Sequence, residues 1–254
     1  MHKIKPSVSI TIITKNSENT IEKCLQSLAF ADEIIVLDSG STDETLTLCR
    51  KYTDQVFQTD WPGFGPQKNR ALEKATSDWV FSIDSDEWIS DASRDEIIRT
   101  IQTTPHTAFI MPRLNQYCGK WIRFGDAGKD TVMRLFKRGC AQFSNDIVHE
   151  KLIADHKTLG QLKHALLHNS YHSVDAIMER MNRYTTLSAQ ARFARGKKTS
   201  VAKTIFSSAW AFFRSYIFRY GFLDGKMGFV VAISSAESSY YRHIKLLELQ
   251  KKLS

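Results

Sequence analysis

Cysteine is scarce in this chain, and its placement excludes the sites that cysteine pairs build. The 254 residues contain four cysteines, which lie far apart in the sequence at Cys24, Cys49, Cys118 and Cys140. Zinc sites and dithiol redox motifs need cysteines a few residues apart, so the spacing predicts neither kind of site. Isolated thiols are typical of a protein in a reducing cytoplasm.

Long hydrophobic runs, internal repeats and low-complexity segments are also missing from the sequence. After Lys3 and Lys5 the chain enters a strand pattern almost at once, without the apolar run of a signal peptide. We therefore expect a cytoplasmic protein. A hydrophobic content of 42% over 254 residues suffices for one sizeable core, or for a domain with an appendage.

Three short apolar segments rich in β-branched residues predict strands at residues 8–13, 33–37 and 79–83. Helical patterns at residues 20–28 and 43–51 follow the first two segments. Strands that alternate with helices predict βαβ units and a parallel sheet. Ligands of such sheets bind at the carboxyl ends of the strands, where this chain places polar clusters. We expect these clusters to meet in space.

The run Asp84-Ser85-Asp86-Glu87 directly follows the third predicted strand. In the turn after a strand, Asp84 and Asp86 can converge on one cation. Their hard oxygen atoms suit Mg²⁺ or Mn²⁺, which usually bind together with substrate phosphates. The alternative is a solvated acidic loop, which is the commoner role of an isolated Asp-x-Asp tripeptide.

Residues 35–45 read Ile-Val-Leu-Asp-Ser-Gly-Ser-Thr-Asp-Glu-Thr, and Gln67-Lys68-Asn69-Arg70-Ala71 and the acidic run follow in order. These blocks resemble the nucleotide-sugar motifs of family 2 glycosyltransferases with a GT-A fold. Three later segments resemble a bacterial subfamily that glucosylates the inner core of lipopolysaccharide. They are Arg134-Leu135-Phe136-Lys137-Arg138, Val148-His149-Glu150 and Gly221-Phe222-Leu223-Asp224-Gly225.

The resemblance implies donor-binding roles for four residues. Asp86 would be the direct ligand of Mg²⁺ or Mn²⁺, and Asp84 would hold the ribose or the donor sugar. Asp38 would bind the nucleobase or ribose of a UDP-sugar, and Lys68 would contact the diphosphate as a point charge. Two alternatives stay open: Asp38 as a cap of the following helix, and Lys68 as a solvated helix residue.

The catalytic base has to come from the second half of the sheet, and Glu150 is the candidate. Its carboxylate would take the acceptor proton in an inverting displacement. His149 either completes the metal or diphosphate site or is structural. The reserve candidates for the base are Asp126, Asp130 and Asp146.

Two features of the region around Arg134 leave alternatives open. Arg134 either adds positive charge near the leaving group or pairs with Asp126 or Asp130. The loop Gly125-Asp126-Ala127-Gly128-Lys129-Asp130 stands where the resembling subfamily has a Trp-Tyr-Pro-Asp segment. If this loop contacts the acceptor, the acceptor sugar differs from that of the subfamily.

Charge is unevenly distributed along the chain. Residues 151–254 carry 17 Lys and Arg against 6 Asp and Glu, a balance of +11, whereas residues 1–150 have a balance of −3. Such asymmetry suggests a nucleic acid or an anionic membrane as partner. The aromatic residues of this half lie in helical, apolar stretches, which favours the membrane and predicts no nucleic-acid partner.

The segment from residue 205 to residue 223 has the pattern of a helix lying in a membrane interface. Lys203, Ser207 and Arg214 lie opposite a broad apolar face on a helical wheel. That face consists of Ile205, Phe206, Ala209, Phe213, Tyr216, Ile217 and Tyr220. Arg214 and Arg219 argue against a transmembrane span. The alternative is a helix packed on the catalytic domain, with its arginines reaching to water.

We predict an α/β protein in two parts. Residues 1–170 would form a Rossmann-like GT-A domain with a mostly parallel central sheet. Residues 171–254 would form a basic, aromatic-rich helical extension that associates with a membrane, beginning with one helix at 175–194.

The resemblance implies a metal-dependent, inverting hexosyltransferase on the inner face of the inner membrane. It would move glucose from UDP-glucose to a heptose of a lipid-linked oligosaccharide, the lipopolysaccharide inner core. The alternatives are another UDP-sugar, such as UDP-galactose or a UDP-N-acetylhexosamine, or another cell-envelope glycan acceptor. An inert membrane- or nucleic-acid-binding protein is the alternative of another class. The inert alternative is disfavoured, because the chain keeps a full set of donor-site and base candidates: Asp38, Lys68, Asp84, Asp86 and Glu150.

Overall fold

A computed structural model describes residues 6–128, 130–144, 151–154, 158–171 and 173–251 of the protein. The strands are β1 (Val8–Thr14), β2 (Glu33–Asp38), β3 (Val56–Gln58), β4 (Trp79–Asp84), β5 (Glu87–Ile89), β6 (Ala108–Tyr117), β7 (Lys120–Ile122), β8 (Asp130–Lys137), β9 (Ala141–Phe143), β10 (Leu152–Ala154), β11 (Leu159–Gln161) and β12 (Leu166–Tyr171). The helices are α1 (Ile21–Gln26), α2 (Thr45–Cys49), α3 (Phe64–Lys74), α4 (Asp91–Thr103), α5 (Gly125–Gly128), α6 (Val174–Ala194), α7 (Val201–Phe213) and α8 (Gly225–Lys251).

The chain packs as two compact units. The first comprises Met1–Arg113 and Thr131–His168, and the second comprises Leu114–Asp130 and Asn169–Ser254. The domain boundary that we predicted between residues 170 and 171 stays a prediction, because packing alone does not show which part of the chain folds by itself.

The central sheet has the strand order β3-β2-β1-β4-β8-β6-β12-β5, and its first four strands are parallel. All seven residues of β1 are buried, as expected for an inner parallel strand that is covered on both faces. The register places Thr14 of β1 opposite Asp38 of β2, and Ile13 opposite Asp84 of β4. Two of the predicted site residues therefore flank the carboxyl end of β1.

The remainder of the sheet is mixed, so the predicted mostly parallel arrangement holds for the first four strands and for the pair of β11 with β6. β8 runs antiparallel to β4, and β5 runs antiparallel to β12, with Glu87 opposite His168. Short connections contribute to the antiparallel part. Between β6 and β7, for example, only Cys118 and Gly119 intervene, at φ angles of 46° and 79°. A two-residue turn of this conformation joins antiparallel strands only.

Apolar side chains cover both faces of the first unit's sheet. Alternate residues of β4 point to opposite faces, so Phe81 and Val80 belong to different core clusters. Ile97 of α4 lies in the cluster that contains Phe81, and Ala71 of α3 lies in the cluster that contains Val80. Helices on both faces thus exclude water from the strands and leave the strand ends as the accessible edge.

The local predictions of secondary structure are confirmed. The three predicted strands correspond to β1, β2 and β4, and the two predicted helices correspond to α1 and α2 with shorter bounds. The long helix that we expected at residues 175–194 is α6. Ser173 caps it by accepting a hydrogen bond from the backbone N–H of Ala176 at 3.1 Å.

The segment Gly221–Asp224 has a structural role within the second unit. The Asp224 carboxylate accepts hydrogen bonds from the backbone N–H groups of Arg123 and Phe124, at 3.0 and 2.8 Å. Neither Gly221 nor Gly228 leaves room for a Cβ atom, which would lie 2.7 Å from the Ser215 carbonyl oxygen at Gly221 and would clash with the Gly221 carbonyl oxygen at Gly228. This segment therefore fixes the beginning of α8 against residues 123–124. That role accounts for Asp224 and Gly221 in the motif Gly221-Phe222-Leu223-Asp224-Gly225.

Within the described residues, no helix has both the length and the hydropathy that crossing a bilayer requires.

Candidate active site

The polar loops after β1, β2 and β4 meet at one edge of the sheet, as the sequence predicted. The Asn16 side-chain oxygen accepts a hydrogen bond from the Thr42 backbone N–H at 2.9 Å. In return, the Asn16 backbone N–H donates to the Ser41 hydroxyl at 2.8 Å. The hydroxyls of Ser17 and Ser85 lie 2.9 Å apart. These contacts tie the loops together at the site.

Asp38, the last residue of β2, is fully buried and closes the turn that follows its strand. Its Oδ2 accepts hydrogen bonds from the backbone N–H groups of Gly40 and Ser41, both at 2.9 Å. Its Oδ1 accepts one from the Ser41 hydroxyl. The carboxylate therefore shapes the loop itself. The role of Asp38 in binding a nucleobase or ribose stays a prediction.

Lys68 is buried, so the alternative of a solvated helix residue is wrong. It lies on α3 with only 4% of its surface exposed, and its Nζ is 2.8 Å from Oδ1 of Asp84. The Phe143 ring centroid lies 5.2 Å from the same nitrogen. A buried ammonium group paired in this way provides a fixed positive charge beside the loop after β4.

Asp84 is held from its other side by Arg134 of β8, a buried residue whose Nη2 lies 2.5 Å from Oδ2 of Asp84. Burial alone would raise the pKa of Asp84, but the cations of Arg134 and Lys68 outweigh it and hold this pKa far below its ordinary value. Asp84 is therefore a permanent anion with a cation on each oxygen.

Glu87 anchors the network, and we assigned it no role from the sequence. Its side chain is fully buried, and its Oε1 accepts hydrogen bonds from Arg134 at 2.8 Å and from Arg113 at 3.1 Å. Its Oε2 accepts one from the backbone N–H of Asp84 at 3.1 Å. The available signal was the alternation of β5, which places Glu87 on the same face as the buried Ile89.

The pairing that we considered for Arg134 with Asp126 is wrong. In the first unit, Arg134 pairs with Asp84 and Glu87. In the second unit, Asp126 accepts hydrogen bonds from Arg214 at 2.6 Å and from Arg219 at 2.8 Å.

Asp86 differs from its neighbours because its side chain is 38% exposed. Its Oδ2 lies 3.3 Å from Nε2 of His168 on β12, a residue to which we assigned no role from the sequence. An open carboxylate next to an imidazole is a suitable pair of donors for a divalent cation that also binds substrate phosphates. Among the described residues, no three His, Cys, Asp or Glu side chains converge to hold a metal by themselves. Asp86 and His168 therefore fit a metal that takes its remaining ligands from a bound substrate.

The sequence profile of Glycosyl transferase family 2 matches residues 9–148 of the chain. The chain belongs to this family. The matched residues include Asp38, Lys68, Asp84, Asp86 and Arg134, so the geometry above lies within the family domain. The mixed sheet of this glycosyltransferase, with helices on both faces, is GT-A-like.

Several relatives match almost the whole glycosyltransferase, among them one from Rickettsia conorii and one from Rhizobium meliloti. Uncharacterized glycosyltransferase RC0292 of Rickettsia conorii is 31% identical over 258 residues, which cover 95% of this chain and 90% of the relative. LpsC of Rhizobium meliloti, named a lipopolysaccharide core biosynthesis glycosyltransferase, is 29% identical over 254 residues, with 94% of each chain covered.

Among solved structures, the glycosyltransferase is similar over 44% of each chain to glucosyl-3-phosphoglycerate synthase from Mycobacterium tuberculosis in complex with Mn²⁺ and UDP-glucose. The two are 26% identical, with a TM-score of 0.38.

Glu150, the predicted base of the glycosyltransferase, lies outside the described residues, as do His149 and Asp146. The role of Glu150 therefore stays a prediction. The described residues that flank it are Ser144 and Lys151, whose backbone groups pair at 2.8 Å where β9 meets β10.

The buried ion network leads to a prediction about stability. Arg134→Met removes a cation from between two carboxylates, and we expect it to lower the free energy of unfolding by about 3–5 kcal/mol. Arg70→Met is the matched control, because the pair of Arg70 with Asp60 is exposed, and its effect should be small. Urea denaturation measures both variants, and equal losses would contradict a structural role of the network.

The same network predicts how this stability depends on pH. Because its folded-state pKa is depressed, ionised Asp84 stabilises the fold above its unfolded pKa of about 3.9. This contribution is lost as the pH falls through the folded pKa. The wild type should therefore keep it to a lower pH than Arg134→Met does.

Proposed function

We propose that the glycosyltransferase moves a hexose, glucose in the first instance, from a UDP-sugar to a heptose of the lipopolysaccharide inner core. The observation that carries the proposal is the contrast between two aspartates of one loop. Asp84 is held by two cations, whereas the carboxylate of Asp86 is open beside His168. The name of LpsC supports lipopolysaccharide core biosynthesis. The resemblance of the three later segments to a glucosylating subfamily supports UDP-glucose as donor.

The donor would be held by residues at the strand ends. Asp38 would hydrogen-bond to the nucleobase or ribose, and Asp84 to hydroxyls of the ribose or the donor sugar. Lys68 would contact the diphosphate, and its 2.8 Å ion pair with Asp84 keeps its ammonium group in place for that contact. Because all three side chains are fixed before the donor arrives, little ordering is needed when it binds.

A divalent cation, Mg²⁺ or Mn²⁺, would bind at Asp86, with His168 as a neighbouring donor. When bound, it would act as a Lewis acid that neutralises the diphosphate leaving group. Asp84 is less suited to this role, because Lys68 and Arg134 already occupy both of its oxygens. In an inverting displacement, Glu150 would accept the proton of the acceptor hydroxyl. The new glycosidic bond would form as the bond between the sugar and uridine diphosphate breaks.

Transfer and its dependence on metal can be tested together. Purified protein with a heptose-containing acceptor should turn over UDP-glucose faster than UDP-galactose or UDP-N-acetylglucosamine, and EDTA should stop the reaction. Asp86→Asn should abolish transfer and weaken metal-dependent nucleotide binding, with folding intact. Asp91→Asn, at an exposed acid whose side chain is 88% accessible, is the control and should keep wild-type turnover.

Each outcome of this assay decides one point. Turnover with no donor would overturn the proposed transfer, and faster turnover of another donor would correct the sugar. Near-normal turnover of Asp86→Asn, or no effect of EDTA, would show that the metal assignment is wrong.

The proposed base predicts a kinetic signature that separates acceptor from donor. Glu150→Gln keeps the size of the side chain but cannot accept a proton, so transfer should fall by about 10²–10⁴-fold. Donor affinity, measured by calorimetry with UDP-glucose, should stay nearly unchanged. Glu73→Gln, at an exposed residue of α3, is the matched control. Lost donor affinity would move Glu150 to the nucleotide site, and an unchanged rate would exclude it as the base.

We also propose that the glycosyltransferase acts at the inner face of the inner membrane. The supporting observation is that the apolar face expected on α7 is exposed, with Ile205 63%, Phe206 72% and Phe213 51% accessible. Exposed large side chains continue beyond α7 with Ile217, Phe218, Tyr220, Phe222 and Leu223. Contiguous exposed apolar surface of this kind marks an interaction site, and the surplus of basic residues favours anionic lipid.

Vesicle binding tests this proposal. The protein should sediment with anionic vesicles at low salt and be partly released at high salt, because charge attraction is screened. The double variant Ile205→Ser/Phe213→Ser should lose most of the salt-resistant fraction. Met178→Ser, at an exposed apolar residue of α6 that is 56% accessible, should behave as the wild type. Equal binding to neutral and anionic vesicles, or binding to neither, would overturn the proposal.

A further inference from the structure

The helical second unit contains a cavity of about 650 Å³. Its lining comes from α6, α7 and α8, together with Arg214, which follows α7, and with Tyr117, Asp126 and Tyr171. The basic side chains among its lining are Arg180, Arg192, Lys203, Arg214, Arg242 and His243. Cavities of a few hundred to a thousand cubic ångströms are the usual size of small-molecule sites. This cavity belongs to the second unit alone and shares no lining residue with the candidate active site.

Two of the cations that line the cavity, Arg192 and Arg242, are not balanced by carboxylates of the described residues. Asp126 is the one acidic residue of the lining, and it already accepts hydrogen bonds from Arg214 and Arg219. Within the part of the chain that the structure describes, Arg192 and Arg242 have no carboxylate partner. Arg192 and Arg242 are half-buried, and cations partly removed from water are normally paired, because removing a charge from water is costly. An unbalanced cluster of this kind is suited to an anion that enters from solution.

Arg242 shows the imbalance most clearly. Its Nε is buried and has no hydrogen-bond partner among the described residues, and its Nη2 reaches only the Ser239 hydroxyl, at 3.4 Å. Burial, followed by repulsion from Arg192 and Arg214, lowers the pKa of Arg242. A buried N–H group without an acceptor costs free energy that a bound oxyanion would recover.

His243 lies in the same environment on the next residue of α8. Its Nδ1 is 2.7 Å from the Thr199 hydroxyl. Burial, then the cations of Arg242, Arg192 and Lys203, lower the pKa of His243. The field of the cavity is therefore positive enough to disfavour a further proton nearby.

Hydroxyl groups and aromatic rings complete the lining. Ser234, Ser235, Ser238 and Ser239 lie on one side of α8, because positions three and four apart share a helix face. Arg180 stacks between Tyr171 and Tyr184, with its guanidinium carbon 5.3 and 5.2 Å from the two ring centroids. Guanidinium groups match the geometry of phosphate oxygens, and serine hydroxyls suit sugar hydroxyls or further phosphate oxygens.

We propose that this cavity is a binding site for a phosphate-bearing ligand of about the size of a sugar phosphate. An inorganic phosphate would fill only part of it, so the phosphoryl group carries a polar substituent. That substituent belongs either to a soluble phosphorylated saccharide or to the headgroup of a lipid. The proposal is independent of the proposed transfer, because its residues and its readout lie outside the candidate active site.

Thermal unfolding of the full chain tests the site with defined probes at constant ionic strength. The probes are inorganic phosphate and glucose 1-phosphate, with glucose as the neutral control. At ten times its Kd, a phosphate-bearing probe should raise the Tm by roughly 3–6 °C, and glucose should leave it unchanged. Vesicles that contain phosphatidic acid, compared with phosphatidylcholine vesicles, test the lipid source by co-sedimentation.

The variants Arg242→Gln and Arg192→Gln each remove one of the unbalanced cations. Both should fold with a Tm no lower than that of the wild type, because each relieves repulsion, and both should weaken probe binding at least tenfold. Arg183→Gln is the matched control, because Arg183 is exposed on α6 and does not line the cavity. It should respond to the probes as the wild type does.

Each outcome of these measurements either assigns the ligand source or overturns the proposal. A shift with glucose 1-phosphate that Arg242→Gln abolishes supports the site and assigns it a soluble saccharide. Binding to phosphatidic acid vesicles alone, again abolished by Arg242→Gln, supports the site and assigns it a lipid headgroup. No response to any phosphate-bearing probe, or equal responses of the wild type and both cavity variants, would overturn the proposal.

Discussion

The pairing of Arg134 with Asp84 and Glu87 connects most of the elements that build the candidate active site. Arg134 comes from β8, its two carboxylate partners from β4 and β5, and Lys68 adds α3. Buried ions stabilise a fold only when their geometry is satisfied on every side, so each of these elements must be in register. Asp86 stands in the chain between the two anchored acids. The ion pairs of Asp84 and Glu87 therefore hold the backbone before and after Asp86, while the carboxylate of Asp86 stays open.

Sequence patterns predicted the parallel half of the sheet well, because each βαβ unit is a local pattern of apolar periodicity and polar loop. The same patterns predicted that the loops after β1, β2 and β4 meet. They did not predict the partners of Arg134, which lie 50 and 47 residues away at Asp84 and Glu87. Such pairs depend on the antiparallel register of β8 and β4, which no local pattern encodes. The burial of Lys68 was not foreseen either, because it depends on the packing of α3 beside the end of β4.

In the helical unit, composition predicted the amount of positive charge, whereas packing decides where the charged side chains lie. A balance of +11 over residues 151–254 predicted a basic surface. It could not predict that part of this charge turns inward, because Arg192, Lys203 and Arg242 come from three different helices. α7 separates two environments. Lys203 and Ser207 of α7 and the following Arg214 line the cavity together with Phe206, while Ile205 and Phe213 face solvent.

The distance in sequence between Asp84 and Arg134 also matters while the chain is being synthesised. β4 ends at residue 84, and the arginine that neutralises it follows 50 residues later. At roughly 5–20 residues per second, a ribosome needs several seconds to add that stretch. During this interval the parallel strands can pair, but Asp84 and Glu87 lack the cation that they share. A nascent chain therefore holds this edge of its sheet with the ion network incomplete, and the proposed donor site is complete only when the second half of the sheet has been added.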